Sequence, residues 1–389
     1  MKNWWVVAPA VALAIGCGES NTTSTAPTMT VHAGGSIQAA IDAAPANSTI
    51  YVEPGVYRES AGAHSAVIIS KDGVQLVARA TAGQPVVLEN AGGQQNGIVV
   101  APTDSVEIST DEHPGEHPPC GENGSMIHGF SLTGFTVRGF DQFGVYLACV
   151  DGFTLSKNFA DANQLYSLFQ VRSHHGTISD NEAQNTTLDA AIYIGQSDHV
   201  TITGNTTHDN LLGLEVENSS DVTAAKNHVF NNTLGIVADI NAGLQKKDQT
   251  NVLLTNNDVH DNNRPNSGSA DDTEEAPPGT GIVILGGTMV TVQSNQISNN
   301  GFVGVIVANY CASPSACTDL DINPNPDDVH VVDNQLTNNG TMPPLDPIEA
   351  GLAADLIWDK TGTGNCWSGN TPTATVKVLG GGTKLPACS

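Results

Sequence analysis

From about residue 144 the apolar positions of the chain recur in register. The segments GVYLACVDGFTLSKN (144–158), SLFQVRSHHGTISDN (167–181), AIYIGQSDHVTITGN (191–205) and GLEVENSSDVTAAKN (213–227) superimpose without gaps. Each closes on an Asn, at 158, 181, 205 and 227, at spacings of 23, 24 and 22. Within a copy the apolar residues alternate, as in Val145/Leu147, Ile192/Ile194, Leu214/Val216 and Ile282/Ile284. That is the period of a strand with one face buried. A second strand follows, as in Val200-Thr201-Ile202, and a short third one lies near Val229 or Val259. Three strands and tight turns in about 23 residues match one coil of a parallel β-helix, stacked on the next at ~4.8 Å. The leucine-rich repeat shares this period. It is disfavoured because the core positions mix Val, Ile and Leu and no segment within a copy has helical periodicity.

Later copies keep both ends of the pattern, and most carry insertions. GIVADI (235–240) joins NVLLTNN (251–257) after extra residues, and GVIVANY (304–310) reaches VHVVDN (329–334) through a long loop. GIVILGGTMVTVQSN (281–295) has no insertion, and a degenerate copy runs from GLAADL (351–356) towards Asn370. Upstream, residues 30–60 contain a short amphipathic helix with Ser36 as N-cap, Ile37, Ala40, Ile41 and Ala44 as its stripe, and Pro45 after it. Such a helix covers the open edge of the first coil, which would otherwise invite strand addition. Gly and Asn are expected in turns that need left-handed backbone. The repeated Asn158, Asn181, Asn205, Asn227, Asn257, Asn295 and Asn334 are expected to hydrogen-bond from coil to coil.

Composition changes the picture in one respect. Across 389 residues there are 40 Asp+Glu against 14 Lys+Arg, a formal charge of −26. So few bases cannot neutralise phosphates, which excludes nucleic acid as a partner. The acids concentrate where the repeat is interrupted, at 111–119, 269–281 and 318–328. Those loops could hold Ca²⁺, although none has the EF-hand spacing; solvated loops are the simpler expectation.

The N-terminus predicts export. Lys2 and the apolar run Trp4–Ile15 form a signal peptide over 1–16. Ala14-Ile15-Gly16-Cys17 is similar to a bacterial lipobox, making Cys17 the expected lipidation site and 17–29 a flexible tether before a folded domain over 30–389. The membrane is then reached through lipid alone. The remaining six cysteines suit disulfides in an exported chain, paired by proximity as Cys311–Cys317, Cys366–Cys388 and Cys120–Cys149.

In a β-helix, outward side chains stack into rows along the axis. The second position of each copy gives Tyr146, Phe169, Tyr193, Glu215, Val237, Val283 and Ile306; the fourth gives Ala148, Val171, Gly195, Glu217, Asp239, Leu285 and Ala308. Three aromatics therefore run into three carboxylates. A saccharide groove is expected there. Tyr146, Phe169 and Tyr193 would stack on sugar rings, Arg172 would pair a substrate carboxylate, and Glu215, Glu217 and Asp239 would serve as catalytic acid and base or share a Ca²⁺. The bland alternative is a ladder that only stabilises neighbouring coils. His208-Asp209-Asn210 and His260-Asp261-Asn262 occupy equivalent turns two coils apart, so repetition of a polar turn accounts for them; a metal site bridging the two coils is the alternative, and no metal ligand is assigned. His174-His175 is placed in a surface turn.

With TVHAGGSIQAAIDAAPANSTIYVEPGVYRES (30–60) ahead of its repeat, the chain resembles the right-handed parallel β-helix superfamily that contains pectate lyases. More narrowly, AAIYIGQSDHVTITGNTTHDNLLGLEVENSSDV (190–222) and PPGTGIVIL (277–285) are similar to an exported β-helix repeat family of bacterial envelopes whose members often carry lipoprotein signals. The resemblance spans about residues 30–370. It implies an all-β, single-stranded, right-handed parallel β-helix solenoid of about ten coils with a short capping helix. It also implies a cell-envelope protein that binds, and could cleave or modify, polysaccharide by lyase, epimerase or hydrolase chemistry. The Asp-Pro-His-Asp stretch of uronate epimerases is absent, which leaves a non-catalytic scaffold for a partner envelope protein, or a metal-binding envelope protein, as alternatives.

Overall fold

A computed structural model describes residues 26–62, 64–102, 120, 124–267, 276–312, 320–343, 351–371, 375–380 and 384–389. Among these, the strands form three parallel sheets of 12, 11 and 10 strands wound around one axis. A coil takes one strand from each sheet. In one such coil, Ala190–Gly195 belongs to the second sheet, Asp198–Thr203 to the first and Thr206–His208 to the third, and Leu212–Glu217 opens the next coil. The gapless repeat becomes gapless register: Leu168, Ile192, Leu214, Ile236 and Ile282 are successive partners. Their side chains point inwards and join one continuous apolar core that runs from Val31 to Trp367.

The helix expected at the N-terminal end is present as Ile37–Ala43, with the Ser36 hydroxyl accepting from the Ala39 amide. Ile37 and Ile41 are buried against the first coil. Glu59 adds a second cap by accepting from the Ile37 amide at 2.6 Å and the Ser36 hydroxyl at 2.7 Å. The first strand starts at Thr28, two positions before the expected beginning of the domain, because Thr28–Val31 pairs with Thr49–Val52. Cys17 and the signal segment lie outside the described residues. Cys120–Cys149 and Cys366–Cys388 are disulfide-bonded as expected, with Cα atoms 5.5 and 4.8 Å apart. Cys317, the expected partner of Cys311, lies outside the described residues.

The turns are where this fold must satisfy its backbone, since buried amides without partners cost about 1–3 kcal/mol each. Asn residues solve the problem by stacking. The Asn205 Oδ1 accepts from both the backbone amide and the side-chain amide of Asn181, while its Nδ2 donates to the Ile178 carbonyl and to Asn227 Oδ1, all at 2.9–3.0 Å. The same set recurs from Asn158 to Asn370. A second ladder runs through Asn210, Asn232, Asn262, Asn300 and Asn339. A third uses Ser173, Ser197 and Ser219 at the remaining corner. Gly and Asn do occupy left-handed turns, as at Gly204, Asn231, Asn256, Asn299 and Asn338. The ladder Asn does not itself take the left-handed conformation; the residue before it does, and this is Lys157, Asp180, Gly204, Lys226, Asn256, Ser294 and Asp333 in turn. The ladder Asn must aim its amide inwards and along the axis, and the left-handed residue ahead of it turns the chain so that it can.

Polar side chains on the outer face of the first sheet also align. His128, Asp151, His174 and Asp198 are register partners, so His174 begins a strand rather than sitting in a turn. His175 follows in the left-handed region and places Nδ1 2.7 Å from Asp151 Oδ1. In the 318–328 loop, Asp321 pairs with Lys247 and accepts from the Gly243 amide, and Asp327 accepts from the amide and hydroxyl of Thr363. Those two carboxylates fasten loops; the acids at 111–119 and 271–275 lie outside the described residues.

Two expected outcomes follow from this architecture. Asn205→Ala removes the partners of the Asn181 amide and the Ile178 carbonyl, so stability should fall by about 3 kcal/mol in chemical denaturation; an unchanged midpoint would show that the ladder is not structural. The hydrogen bond from His175 depresses the pKa of Asp151 below its ordinary 3.8, with burial opposing and the nearby imidazoles assisting. A depressed carboxyl stabilises the fold above its unfolded pKa, and that contribution disappears as pH falls through the folded value. Asp151→Asn should therefore lower the melting temperature at about pH 5–6, where the carboxylate is ionised, and the gap to wild type should close in strong acid. A gap independent of pH would contradict this.

Candidate functional site

The outer face of the second sheet collects the expected site residues. Its strands Phe143–Ala148, Tyr166–Val171, Ala190–Gly195, Leu212–Glu217 and Leu234–Asp239 put Tyr146, Phe169, Tyr193, Glu215 and Val237 in one row. Val171, Gly195, Glu217 and Asp239 form the next row, so Glu217 and Asp239 are direct partners on adjacent strands. Arg172 follows Val171 in the left-handed region, at the end of its strand.

The structure brings these residues together as an enclosed cluster rather than an open shelf. Tyr146, Phe169 and Tyr193 are each 2% exposed or less. Their rings stack on one another, with centroids 5.0 Å apart for Tyr146–Phe169 and 4.8 Å for Phe169–Tyr193. Phe143 and Tyr166, at the strand starts, fill the remaining space at 4.8 and 4.5 Å from Phe169. The ring faces that were expected to meet sugar are thus taken up by other rings. Glu217, Asp239 and Arg172 are also buried, and Glu215 is the half-buried member of the group.

The hydroxyls of this cluster are tied to carboxylates. Tyr193 donates to Glu217 across one coil, and Tyr166 donates to Asp189 Oδ2 at 2.6 Å. Gly195 makes the first contact possible, because a Cβ at that position would collide with the Tyr193 ring and hydroxyl. Burial pushes the Tyr193 phenol well above its ordinary pKa, and the fields of Glu217, Glu215 and Asp239 push it further. Tyr166 is raised by burial and by Asp189 and Glu215. Tyr146 is raised by burial against the opposing charge of Arg172, and burial lowers Arg172 itself. The buried Tyr193 phenol therefore stays protonated and holds its proton against the Glu217 carboxylate. Asp189 and Tyr166 were not singled out from the sequence. Tyr166, like Phe143, stands immediately before the first aligned position of its copy, and both join the outer aromatic cluster rather than the inner core.

Two insertions flank the face. Along the strand ends, Gln245 and Lys246 donate their amides to Gln196 Oε1, Leu244 is buried, and Arg172 Nη1 lies 3.4 Å from Gln245 Oε1. Along the strand starts, Arg264 pairs with Asp209 at 2.7 Å and Ala276 packs on the aromatic cluster. A hollow on that side is lined by Asn263, Pro265, Asn266, Pro278, Gly279 and Met342, none of them titratable.

The repeated His-Asp-Asn turns lie on the third sheet. Asn210 and Asn262 belong to the buried ladder, and Phe230 stands between His208 and His260 in the row. His208 is engaged by Asp209 at Nδ1, 2.7 Å, and by Glu182 at Nε2, 3.3 Å. His208 and Arg264 hold Asp209 below its ordinary pKa against the opposing effect of burial.

Comparison with known proteins places this architecture. The profile of a family described as a right handed beta helix region matches residues 88–233 and 122–319. No curated protein sequence matches the chain. Among solved structures, the A-module of mannuronan C-5 epimerase AlgE4 from Azotobacter vinelandii superimposes with a TM-score of 0.59 at 16% identity, over 88% of this chain and 95% of that one. The periplasmic alginate epimerase AlgG gives 0.56 at 16% identity, over 89% and 73%. The Dettilon tailspike protein gives 0.53 at 12%, over 91% and 60%. At such identities the likeness is one of fold. The matched spans run together from 88 to 319, more than half of the chain, and coincide with the coils built from the repeat: the chain belongs to the right-handed β-helix family.

Proposed function

We propose that the protein is a lipid-anchored envelope β-helix that binds an acidic polysaccharide on the outer face of its second sheet and carries out proton-transfer chemistry there. The observation that carries this reading is the Tyr193–Glu217 pair beside Glu215 and Asp239, with Arg172 on the same face. Polymer approaches at the half-buried Glu215, between the strand-end segment 241–249 and the strand-start residues 263–267 and 276–279. Tyr146 and Phe169 form the wall under that point and fix the Tyr193 ring, instead of stacking on sugar. Arg172 supplies the charge for a uronate carboxylate, and Glu217 with Tyr193 supplies base and acid at C5. Two proteins of this architecture, the AlgE4 A-module and AlgG, are named epimerases of mannuronan and of alginate, which supports the substrate class. Glu217 and Asp239 could instead share a Ca²⁺ that assists the carboxylate.

The reading has a direct test with polymannuronate, polygalacturonate and a neutral glucan as probes. Wild type is expected to retain the two uronates over the glucan and to produce either unsaturated ends or epimerised residues. Glu217→Gln and Tyr193→Phe should lower turnover at least about a hundredfold while leaving the fold intact. Gly195→Ala should act similarly by expelling the Tyr193 hydroxyl from Glu217. Equal binding and turnover in all three variants would place the site elsewhere. Anchoring is tested separately: Cys17→Ser should release the protein from the membrane fraction, and retention there would rule out lipid attachment at Cys17.

A further inference from the structure

On the outer face of the third sheet, two neighbouring strands bring together three groups whose donor atoms converge. His228–Phe230 and Asp258–His260 pair with His228 opposite Asp258 and Phe230 opposite His260. The two imidazoles meet diagonally, with Nε2 of His228 2.8 Å from Nε2 of His260. Asp258 Oδ2 stands 3.8 Å from the same His228 nitrogen. One donor atom from each of the three residues lies within 4.8 Å of the others.

The orientation of these rings is set by partners that are not themselves donors to the centre. His260 Nδ1 lies 2.7 Å from Asp261 Oδ2, which keeps the ring proton on Nδ1 and turns the Nε2 lone pair towards His228. Phe230 stacks on the His260 ring at 5.4 Å with planes 7° apart and touches the His228 ring at 4.4 Å. His208 closes the stack on the far side of Phe230, 5.0 Å away. A carboxylate behind a histidine and an apolar wall beside it are the usual outer supports of a metal-bound imidazole.

We infer that His228, His260 and Asp258 form a binding site for a divalent transition ion of the zinc class, with a fourth position open to water. Two imidazoles and one carboxylate are the donor set that suits such an ion, whereas Ca²⁺ and Mg²⁺ favour all-oxygen shells. Tetrahedral bonds of about 2.0–2.1 Å put two nitrogens ~3.3 Å apart, so the pair opens by about half an ångström to admit the ion. The proton now shared between the two Nε2 atoms moves to His228 Nδ1, and the ion takes its place with no net proton released. The site stands on a different sheet from the carboxylate cluster of the second sheet and is independent of the polysaccharide reading. It also differs from a site made by the two His-Asp-Asn turns: only one of their histidines takes part, and the second ligand comes from the coil between them.

The test uses the full chain without a histidine tag, dialysed against chelator and titrated with Zn²⁺ by calorimetry, with bound metal counted by elemental analysis. Wild type is expected to retain one Zn²⁺ per chain and to ignore Ca²⁺ at this position. His228→Gln and His260→Gln should each abolish stoichiometric binding. Asp261→Asn should weaken it by about 10- to 100-fold, because it loosens the ring without removing a ligand. His199→Gln, on the first sheet beside Asp198, should bind as wild type does. A cobalt-loaded wild type provides a second readout that needs no variant: a visible spectrum of four-coordinate nitrogen and oxygen donors. Wild type that stays metal-free, a six-coordinate cobalt spectrum, or variants at 228 and 260 that bind like wild type would overturn the assignment.

Discussion

The structure depends on one constraint: each coil must present its polar backbone to the next at the same height, all around the axis. Parallel strands meet it along the sheets, where ladder hydrogen bonds run from coil to coil. At each corner that backbone ladder is interrupted at the Asn or Ser, while the flanking residues still bond from coil to coil. There the side-chain amides of Asn and the hydroxyls of Ser stand in for it, each accepting a backbone amide from the coil before. Because every Asn is both donor and acceptor, one polar column can run through an apolar interior without stranding a hydrogen-bonding group. Insertions are tolerated as long as they leave after one ladder residue and return before the next. The Asn227–Asn257 and Asn257–Asn295 contacts keep their geometry although 30 and 38 residues separate the partners.

The same regularity produces the chemistry-bearing surfaces. A side chain that points outwards is carried past its counterpart in the next coil at a spacing of about 4.8 Å, so unlike residues in one row become contacts. On the second sheet, an aromatic row ends beside a carboxylate row, and Gly195 leaves the gap through which Tyr193 reaches Glu217. On the third sheet the short strands do the same with imidazoles and carboxylates, held by the ring of Phe230. On the first, His175 and Asp151 become a hydrogen-bonded pair. Few cations are available to neutralise the acids, with 14 Lys+Arg in the whole chain, so phenols, imidazoles and backbone amides take that part.

Much of this was legible in the residues themselves. The alternation of apolar positions and the constant Asn spacing determine the coil, the register and the inward face, because a one-residue slip would turn the core outwards. Ser36, Ile37 and Ile41 determine the cap in the same way, through local hydrogen bonding and helical spacing. The convergence of Tyr193, Glu215, Glu217 and Asp239 on one face was also legible, since it follows from counting positions within the repeat.

What only the tertiary structure decided is which of those outward positions meet solvent. Row position is a property of sequence spacing, but burial depends on what packs across the row. Phe143 and Tyr166 close over Phe169, and the aromatic shelf becomes a second core. Diagonal contacts were likewise out of reach: His228 meets His260 because strand twist and ring packing on Phe230 bring two nitrogens together from different row positions. The chain by itself determined the solenoid, because its period is local and repeated. The enclosure of the tyrosines and the pairing of the histidines rest on non-local packing, which no single repeat contains.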